Sequence, residues 1–361
     1  MTAMAPPFCP NPACACHREP AGWRFVRDGF HARLCAPYRV QRYRCRHCRR
    51  RFSDQTFRTT YWLKRPELLV PLLHALLSCT ALRQFARAHR ASPQTALALA
   101  ARLGRHCLLF HELHRPRGPL CEPLALDGFE SFEHSQFSPT YYHVAVGSRS
   151  HYFYGFTDSE LRRSGRMTAA QKRKRARREA ALGRPDPRSI EREVAALLGL
   201  LAPEPQRLVL HSDEHTDYPR ALRRLTHLQV EHHTISSRAA RTTRNPLFPV
   251  NLLDLLIRHS GANHKRETIA FSKRRQSAID RLWILAVWRN HMKWFSERRG
   301  GGTPAMRLGL ARDRLTAEHV LARRLFVTRV GLPARWLPYY WRQVPTRAIR
   351  NCRGHTCCYA A

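Results

Sequence analysis

Four cysteines near the start of the sequence form two pairs whose spacing suits a metal ion. Cys9 and Cys14 are separated by four residues, and Cys45 and Cys48 form a Cys-x-x-Cys pair after a further thirty residues. Each short loop can present two thiolates to one ion, and tetrahedral zinc takes four such ligands. We therefore predict one structural Zn²⁺ held by these four cysteines.

The surroundings of the pairs bear on the choice of ligands. Cys16, His17 and Cys35 lie in the same segment, and Cys16 is an alternative to Cys14 that needs little change of backbone. Ordinary buried or reactive cysteines are the competing interpretation. Six arginines flank the second pair: Arg42, Arg44, Arg46, Arg49, Arg50 and Arg51. We expect the metal to stabilise a segment too small to fold on its own core, and the arginines to contact phosphate.

Three aspartates occupy positions where secondary structure can bring carboxylates together. Asp127 follows the strand-like run 124–126, Asp213 comes shortly after the apolar run 207–210, and Asp254 lies on an amphipathic helical segment. A single aspartate at a strand end is most often a turn former or a cap. Three of them in this order, in a strongly basic protein, favour a shared site.

The charge of the chain favours a polyanionic partner. Its 361 residues include 63 Lys and Arg against 26 Asp and Glu, which gives a net charge of +37. Nucleic acid suits this charge because its bound counterions are released on contact. An anionic membrane surface is the alternative, but the longest apolar runs, such as residues 68–77, are too short to span a bilayer.

The N-terminal residues and the cysteines indicate the compartment. The first fourteen residues lack a charged stretch followed by an apolar one, so nothing marks the chain for secretion. We expect a reducing, cytoplasmic location. Twelve cysteines in such a compartment are expected to be free thiols or metal ligands and not disulfides.

Apolar periodicity indicates the elements that must position these residues. After a metal-stapled module over residues 1–60, three short helices are predicted from Pro66, with Thr80 and Ser92 as caps and Pro93 in a first turn. The second and third helices have the length and punctuation of a helix-turn-helix. Simple core packing is the alternative, and the basic module directly before them favours DNA binding.

The remainder of the chain alternates between strand and helix patterns. From Pro119 the period shifts toward two, which predicts a three-stranded meander. Residues 162–184 carry ten Lys or Arg and one acid, Glu179, so we predict a basic helix or a solvated excursion; a charged face without function is the alternative. Further helices are predicted over 250–259 and 277–297. Four aromatic residues near the end are expected to pack on the core, with stacking on bases as the alternative: Trp336, Tyr339, Tyr340 and Trp341.

Four stretches carry a family resemblance: QRYRCRHCRRRFSDQTF, LALDGFESFE, LVLHSDEHTDYPRAL and VNLLDLLIRHSGANHKRETIAFSKRRQSAIDR. Together they resemble bacterial insertion-sequence transposases with a zinc ribbon and a DDE core, over residues 9–295. The resemblance implies an α/β fold, an RNase H-like mixed sheet with flanking helices. It also implies that two strand-borne aspartates and one helix-borne acid hold two divalent ions, with Asp127 and Asp213 matching the first two acids.

The third acid departs from the pattern of the family. The usual glutamate position falls on Asn251, and an asparagine position one turn later falls on Asp254. Residues 251, 254 and 258 share one helix face, so Asp254 is predicted as the third ligand, with Arg258 near the phosphate. Glu267 and Glu231 are the alternative acids.

Phosphodiester chemistry explains why such a site needs carboxylates. An in-line displacement builds negative charge on the attacking and leaving oxygens, and two Mg²⁺ or Mn²⁺ ions about 3.5–4 Å apart stabilise both. Carboxylate oxygens are the ligands that these hard ions prefer.

These observations predict a DNA transposase that cleaves and joins strands at the ends of its own insertion sequence. Its partners are double-stranded DNA and further copies of the chain, and the bacterial nucleoid is its expected place. The alternative is a sequence-specific DNA-binding protein, a regulator or a domesticated transposase, in which the core is only a scaffold. The expected domains are a zinc ribbon (1–60), a helix-turn-helix domain (61–118), a catalytic domain (119–299) with a basic insertion at about 162–192, and a C-terminal extension (300–361).

Overall fold

The computed structural model describes residues 5–265, 268–298 and 300–349. The protein is a mixed α/β structure with a three-stranded sheet near its start and a five-stranded sheet at its centre. Within the described ranges, none of the helices combines the length and the apolar character that crossing a bilayer would require. The Cys-rich tail after residue 349 lies outside the described residues.

The first sixty residues contain the four cysteines and a small antiparallel sheet. A short helix, α1 (Ala15–Arg18), is followed by an antiparallel sheet of β1 (Phe25–Ala32), β2 (Arg39–Cys45) and β3 (Arg51–Ser53). Its apolar core consists of a few aromatic rings around the buried cysteines. A core this small supplies little free energy of folding, which agrees with a module that depends on a metal.

Three helices follow: α2 (Leu69–Leu77), α3 (Leu82–Ala88) and α4 (Pro93–His114). The start of α4 is as predicted, because the Ser92 hydroxyl accepts a hydrogen bond from the Thr95 N–H at 3.0 Å. The predicted cap at Thr80 is wrong. Ala81 occupies the N-cap position, and its N–H donates to the Gln84 side chain at 3.0 Å.

The helix α4 is much longer than predicted. It has 22 residues, and its second half is almost entirely buried. Its apolar pattern continues through Cys107, Leu108, Leu109 and Phe110, which join the central core. Apart from Leu113 near its end, the exposed residues of α4 lie in its first turns. The helical segment is therefore packed against the rest of the protein and has no separate core of its own.

The central sheet begins with the predicted three-stranded meander. The strands β4 (Leu124–Phe132), β5 (Pro139–Gly147) and β6 (Phe153–Glu160) are antiparallel neighbours. Two helices, α5 (Ala169–Leu182) and α6 (Ser189–Leu201), then lead to the second half of the sheet. The basic segment thus forms a helix.

Two parallel strands complete the sheet. The strand β7 (Gln206–Ser212) pairs parallel to β4, and β8 (Leu228–Thr234) pairs parallel to β7. The short helix α7 (Asp217–Leu222) connects β7 to β8 along the chain. The strand order is β6-β5-β4-β7-β8. This order places β4, in the middle of the sheet, directly beside β7.

Helices cover both faces of the central sheet. The helices α8 (Phe248–Ser260) and α9 (Arg275–Val287) pack with α4 on one face, where Ala125 and Phe129 of β4 point. The helices α6 and α7 cover the opposite face. Helix α9 continues as a π-helical turn, Trp288–Met292, and Lys293 is extended, so the predicted helix over 277–297 ends earlier than expected.

Four short helices form the C-terminal part: α10 (Pro304–Arg307), α11 (Ala317–Leu321), α12 (Val327–Val330) and α13 (Leu337–Tyr340). Trp336, Tyr339 and Tyr340 are buried, which confirms for them the expectation that these rings pack on the core. This part also holds the cysteine module in place. The Thr59 hydroxyl donates to the Leu321 carbonyl at 2.7 Å, and Phe326 packs in the aromatic core of the module.

Candidate functional site

The four predicted zinc ligands lie together. The sulfur atoms of Cys9, Cys14, Cys45 and Cys48 are all within 4.8 Å of one another, and the first three residues are buried. The knuckle after β2 presents Cys45 and Cys48, and the loop before α1 presents the other two. Four thiols from two loops at this separation can hold one tetrahedral zinc ion.

The electrostatics of the cluster fit a cation. Burial raises the pKa of Cys9 and raises that of Cys14 to about 11, so thiolates at these positions are costly without a positive charge. Cys45 is different. Burial opposes its thiolate too, but the backbone N–H groups of Cys48 and His47 and the Trp23 indole N–H, 3.2 Å from its sulfur, lower its pKa to about 7.

The other residues that the sequence offers as ligands lie in different surroundings. Cys16 forms a second possible group with Cys14 and His47, in which the Cys14 sulfur is 3.4 Å from the His47 Nδ1. Sequence reasoning missed His47, although its place inside the Cys45-x-x-Cys48 loop is a signal for it. His17 is instead a packing residue, because its Nδ1 contacts the Cys9 carbonyl at 2.7 Å. The Cys35 thiol faces the Leu63 carbonyl at 3.5 Å.

Strand pairing and helix packing bring the three predicted aspartates to one region. Leu126 of β4 pairs with Ser212 of β7, so the next residue of each parallel strand, Asp127 and Asp213, lies at the same end of the sheet. Helix α8 packs across β4 and β5 and presents Asp254. The site thus lies where the pairing of β4 with β7 ends, within β4 and directly after β7, and one helix covers it.

The three carboxylates have unequal hydrogen bonding. Asp127 Oδ1 accepts a bond from the Gly128 N–H at 2.7 Å, and Asp213 Oδ1 accepts one from the His215 N–H at 3.1 Å. The Asp254 Oδ1 atom has no solvent contact and no hydrogen-bond partner. Because a buried oxygen without a partner is costly, this atom fits a position that a cation would satisfy.

The carboxylates disfavour each other's charge. Burial and the neighbouring Asp213 raise the pKa of Asp127 to about 6. Burial and Asp127 together raise the pKa of Asp254 to about 8. Arg241 opposes both effects, and Arg258 opposes the second. The site therefore has excess negative charge when fully ionised, which is what divalent cations require.

The carboxylates of the three aspartates lie farther apart than the sulfur atoms of the cysteine cluster. Groups of three or more ligand atoms within 4.8 Å of one another, in the part of the chain that the structure describes, are formed by cysteines and histidine, and the three aspartates form no such group.

Sequence reasoning missed Tyr141, whose ring packs against Gly128 of β4 beside the site. A Cβ atom at Gly128 would be 2.3 Å from the Tyr141 ring, so glycine at this position gives the ring its space. Burial raises the pKa of Tyr141, and all three aspartates add to the effect. The signal in the sequence was the glycine directly after Asp127.

Of the two alternative acids, Glu231 is not part of this arrangement. Glu231 lies in β8 opposite Val209, where it pairs with Arg207 at 2.5 Å and contacts His233 at 2.9 Å. Burial plays a minor role there, and the Arg207 hydrogen bond lowers the pKa of Glu231. Glu267 lies outside the described residues.

The start of α4 is exposed, and so are two arginines of the preceding helix, α3. Gln94, Leu97 and Ala98 of α4 are exposed, as are Arg83 and Arg87 of α3. In helix-turn-helix proteins, the N-terminal residues of the second helix contact base edges, and neighbouring cations contact phosphates.

Comparisons with known proteins give little. No profile of a known protein family matches the sequence, and no curated protein matches it. Among solved structures, a chain in the cryo-EM structure of the simian T-cell lymphotropic virus intasome in complex with PP2A regulatory subunit B56 gamma is similar, with a TM-score of 0.25 and 16% identity. The match covers 64% of this chain and 69% of that chain. At this TM-score the similarity supports no argument about function.

Proposed function

We propose that the protein is a DNA transposase whose core cleaves and joins phosphodiester bonds with divalent metal ions. One observation supports this most directly: Asp127 and Asp213 lie side by side where the pairing of β4 with β7 ends, and α8 brings Asp254 to the same region. The effects of Asp213 on the pKa of Asp127 and of Asp127 on the pKa of Asp254 support a site that the three side chains share.

The RNase H-like assignment is part of this proposal. The family resemblance implies a mixed sheet with flanking helices that carries two strand-borne aspartates and one helix-borne acid. The central sheet has both antiparallel and parallel pairs, and helices cover both of its faces. The predicted exchange of Asn251 and Asp254 also agrees with the unpartnered Oδ1 of Asp254.

The residues of the site suit phosphoryl chemistry in defined ways. Two Mg²⁺ or Mn²⁺ ions held by the three carboxylates would supply positive charge for the attacking and leaving oxygens of an in-line displacement. Arg241 and Arg258 add positive charge beside the carboxylates and suit a phosphate group. The raised pKa of Asp254 means that it must lose a proton before it can bind a cation.

The remaining features suit DNA as the substrate. The net charge of +37, the arginines around Cys45 and Cys48, and the exposed start of α4 all suit double-stranded DNA. Structural zinc at the four cysteines would fix the basic module. Assembly as a homo-oligomer on two DNA ends, and a cytoplasmic, nucleoid-associated location, are further parts of the proposal.

The test uses the full-length protein and a duplex that it selects from a random-sequence pool. The 3′-hydroxyl ends of products are measured with Mg²⁺, with Mn²⁺ and without added divalent ions. We expect cleavage only with a divalent ion. Tight, sequence-specific binding without cleavage in either metal would favour the alternative, a DNA-binding regulator or domesticated transposase.

A further inference from the structure

The basic helix α5 stands outside the packed layers of the fold. None of its residues is buried, so no apolar core holds it. Six of its residues are lysine or arginine, and its one acid is Glu179. Like charges four residues apart, as at Arg173 and Arg177, destabilise a helix in water. Its composition therefore does not serve the stability of the isolated chain.

One face of α5 is fixed to the turn between β4 and β5. Arg178 donates to the Ser138 hydroxyl oxygen at 2.8 Å, and Arg175 donates to the Arg163 carbonyl at 2.8 Å. Arg163 in turn donates to the Gln136 carbonyl at 3.1 Å. These bonds give the helix a defined position beside the turn.

The opposite face of α5 combines exposed cations with small residues. Arg173 and Arg177 lie one turn apart and are exposed, and the described residues contain no ion pair with either. Ala170, Ala176 and Ala180 surround them and are also exposed. Small side chains allow a close approach of the helix to a ligand, and guanidinium groups bind phosphate oxygens with two parallel hydrogen bonds.

The turn that holds α5 follows the strand of the first aspartate. β4 continues five residues past Asp127 to Phe132, a distance of about 17 Å at 3.3–3.4 Å per residue. Duplex DNA rises about 3.4 Å per base pair. A duplex that is engaged at Asp127 and runs along β4 would therefore reach the region of this turn within about five base pairs.

We propose that the exposed face of α5 binds the phosphate backbone of duplex DNA that leads away from the aspartate site. The identity of the polyanion rests on the proposed function, which this inference deepens by assigning a second DNA contact distinct from the cysteine module and from α4. Guanidinium groups bind phosphate oxygens, and contacts to phosphates carry no sequence information. Binding by this face is independent of DNA sequence.

The test compares two full-length variants that lose equal charge. Arg173→Gln/Arg177→Gln removes the α5 cations, and glutamine preserves helix propensity. Arg223→Gln/Arg312→Gln is the control, because both arginines are exposed and lie outside α5. Affinity for a random-sequence duplex of about 30 base pairs is measured by fluorescence anisotropy from roughly 0.05 to 0.3 M salt.

Each phosphate contact contributes about 0.9 to the slope of log affinity against log salt. We expect the slope to fall by about 1 to 2 in the α5 variant and to be unchanged in the control. Equal slopes and affinities for the wild type and the α5 variant would overturn the proposal. An equal loss in both variants would also overturn it, because the effect would then reflect net charge alone.

A second measurement locates the contact. A photo-crosslinking residue, p-benzoylphenylalanine, is placed at Ala176 in one protein and at Arg312 in another. We expect crosslinks to duplex DNA from Ala176 only, and equal yields would contradict the proposal. Cleavage activity is a separate result: a protein that shows the α5 effects but never cleaves DNA would contradict the proposed function and leave the α5 contact intact.

Discussion

At the residue scale, Asp254 has the most unusual environment of the three aspartates. Its Oδ1 atom is buried without a partner, and burial with the nearby Asp127 raises its pKa from 3.8 to about 8. The folded protein thus retains a proton at neutral pH that the unfolded chain releases. The contribution of this group to the free energy of unfolding falls as the pH rises from about 4 to about 8.

We predict that Asp254→Asn stabilises the protein at alkaline pH when divalent ions are not added. The amide removes the cost of an ionised carboxylate, so the thermal midpoint should rise by on the order of a few degrees at pH 9 and be unchanged near pH 4. Thermal unfolding across this range gives the comparison. The buffers contain no strong chelator, so that any zinc at the four cysteines stays bound during the measurement.

Addition of Mg²⁺ provides the matching control. It should stabilise the wild type and have little effect on the variant, since the variant lacks one carboxylate of the site. A variant that is less stable than the wild type at pH 9 would show that Asp254 is ionised and favourably paired.

At the element scale, the cysteine module and β4 show what local pattern can predict. The Cys pairs, the meander and α8 follow from spacing and periodicity within single segments. The cap at Thr80 was wrong because the Gln84 side chain satisfies the start of α3 instead. Tyr141 beside Gly128 was missed because the two residues meet only after β4 and β5 pair.

We predict that zinc binding requires the Cys45 and Cys48 knuckle. The purified protein should contain about one equivalent of zinc, and Cys45→Ser/Cys48→Ser should lose it, because two of four ligands cannot hold the ion tightly. Cys35→Ser is the matched control and should retain the metal, since its thiol faces a carbonyl oxygen outside the cluster. Elemental analysis decides between these results. Zinc retained in the double variant would refute the assignment.

We predict that Gly128→Ala disrupts the aspartate site. The new methyl group would overlap the Tyr141 ring, so β4 or the ring must move, at a cost of about 1–3 kcal/mol. Denaturant unfolding measures this cost. Gly199→Ala is the control, because its methyl group would make an ordinary van der Waals contact with the Leu225 side chain, at 3.4 Å. The same loss of stability in both variants would argue against a specific clash.

At the scale of the whole molecule, the parts are joined more closely than sequence patterns indicate. The second half of α4 is buried against α9, and the C-terminal part packs on the cysteine module. These contacts join residues far apart in sequence, so no window of local periodicity contains them. The expected domain limits stay predictions. The helices of 61–118 share a core with the central sheet.

We predict that residues 1–118 alone do not form a stable module. Removal of the remainder would expose the apolar residues of α4 that now contact α9 and would remove the partner of Thr59. Circular dichroism and light scattering should show loss of cooperative unfolding, or association, compared with the full chain. A monomeric fragment with a sharp thermal transition would contradict this.

The central claim is that Asp127 within β4, Asp213 directly after β7 and Asp254 of α8 perform the chemistry, and Asp213→Asn tests it most directly. The amide keeps the shape of the side chain and removes its charge, so DNA binding should be nearly unchanged. The cleavage rate in Mg²⁺ should fall on the order of 10²–10³ or more, as for other electrostatic groups in active sites. Asp313→Asn, at an exposed aspartate of the C-terminal part, should cleave like the wild type. Cleavage by Asp213→Asn at the wild-type rate would contradict the claim.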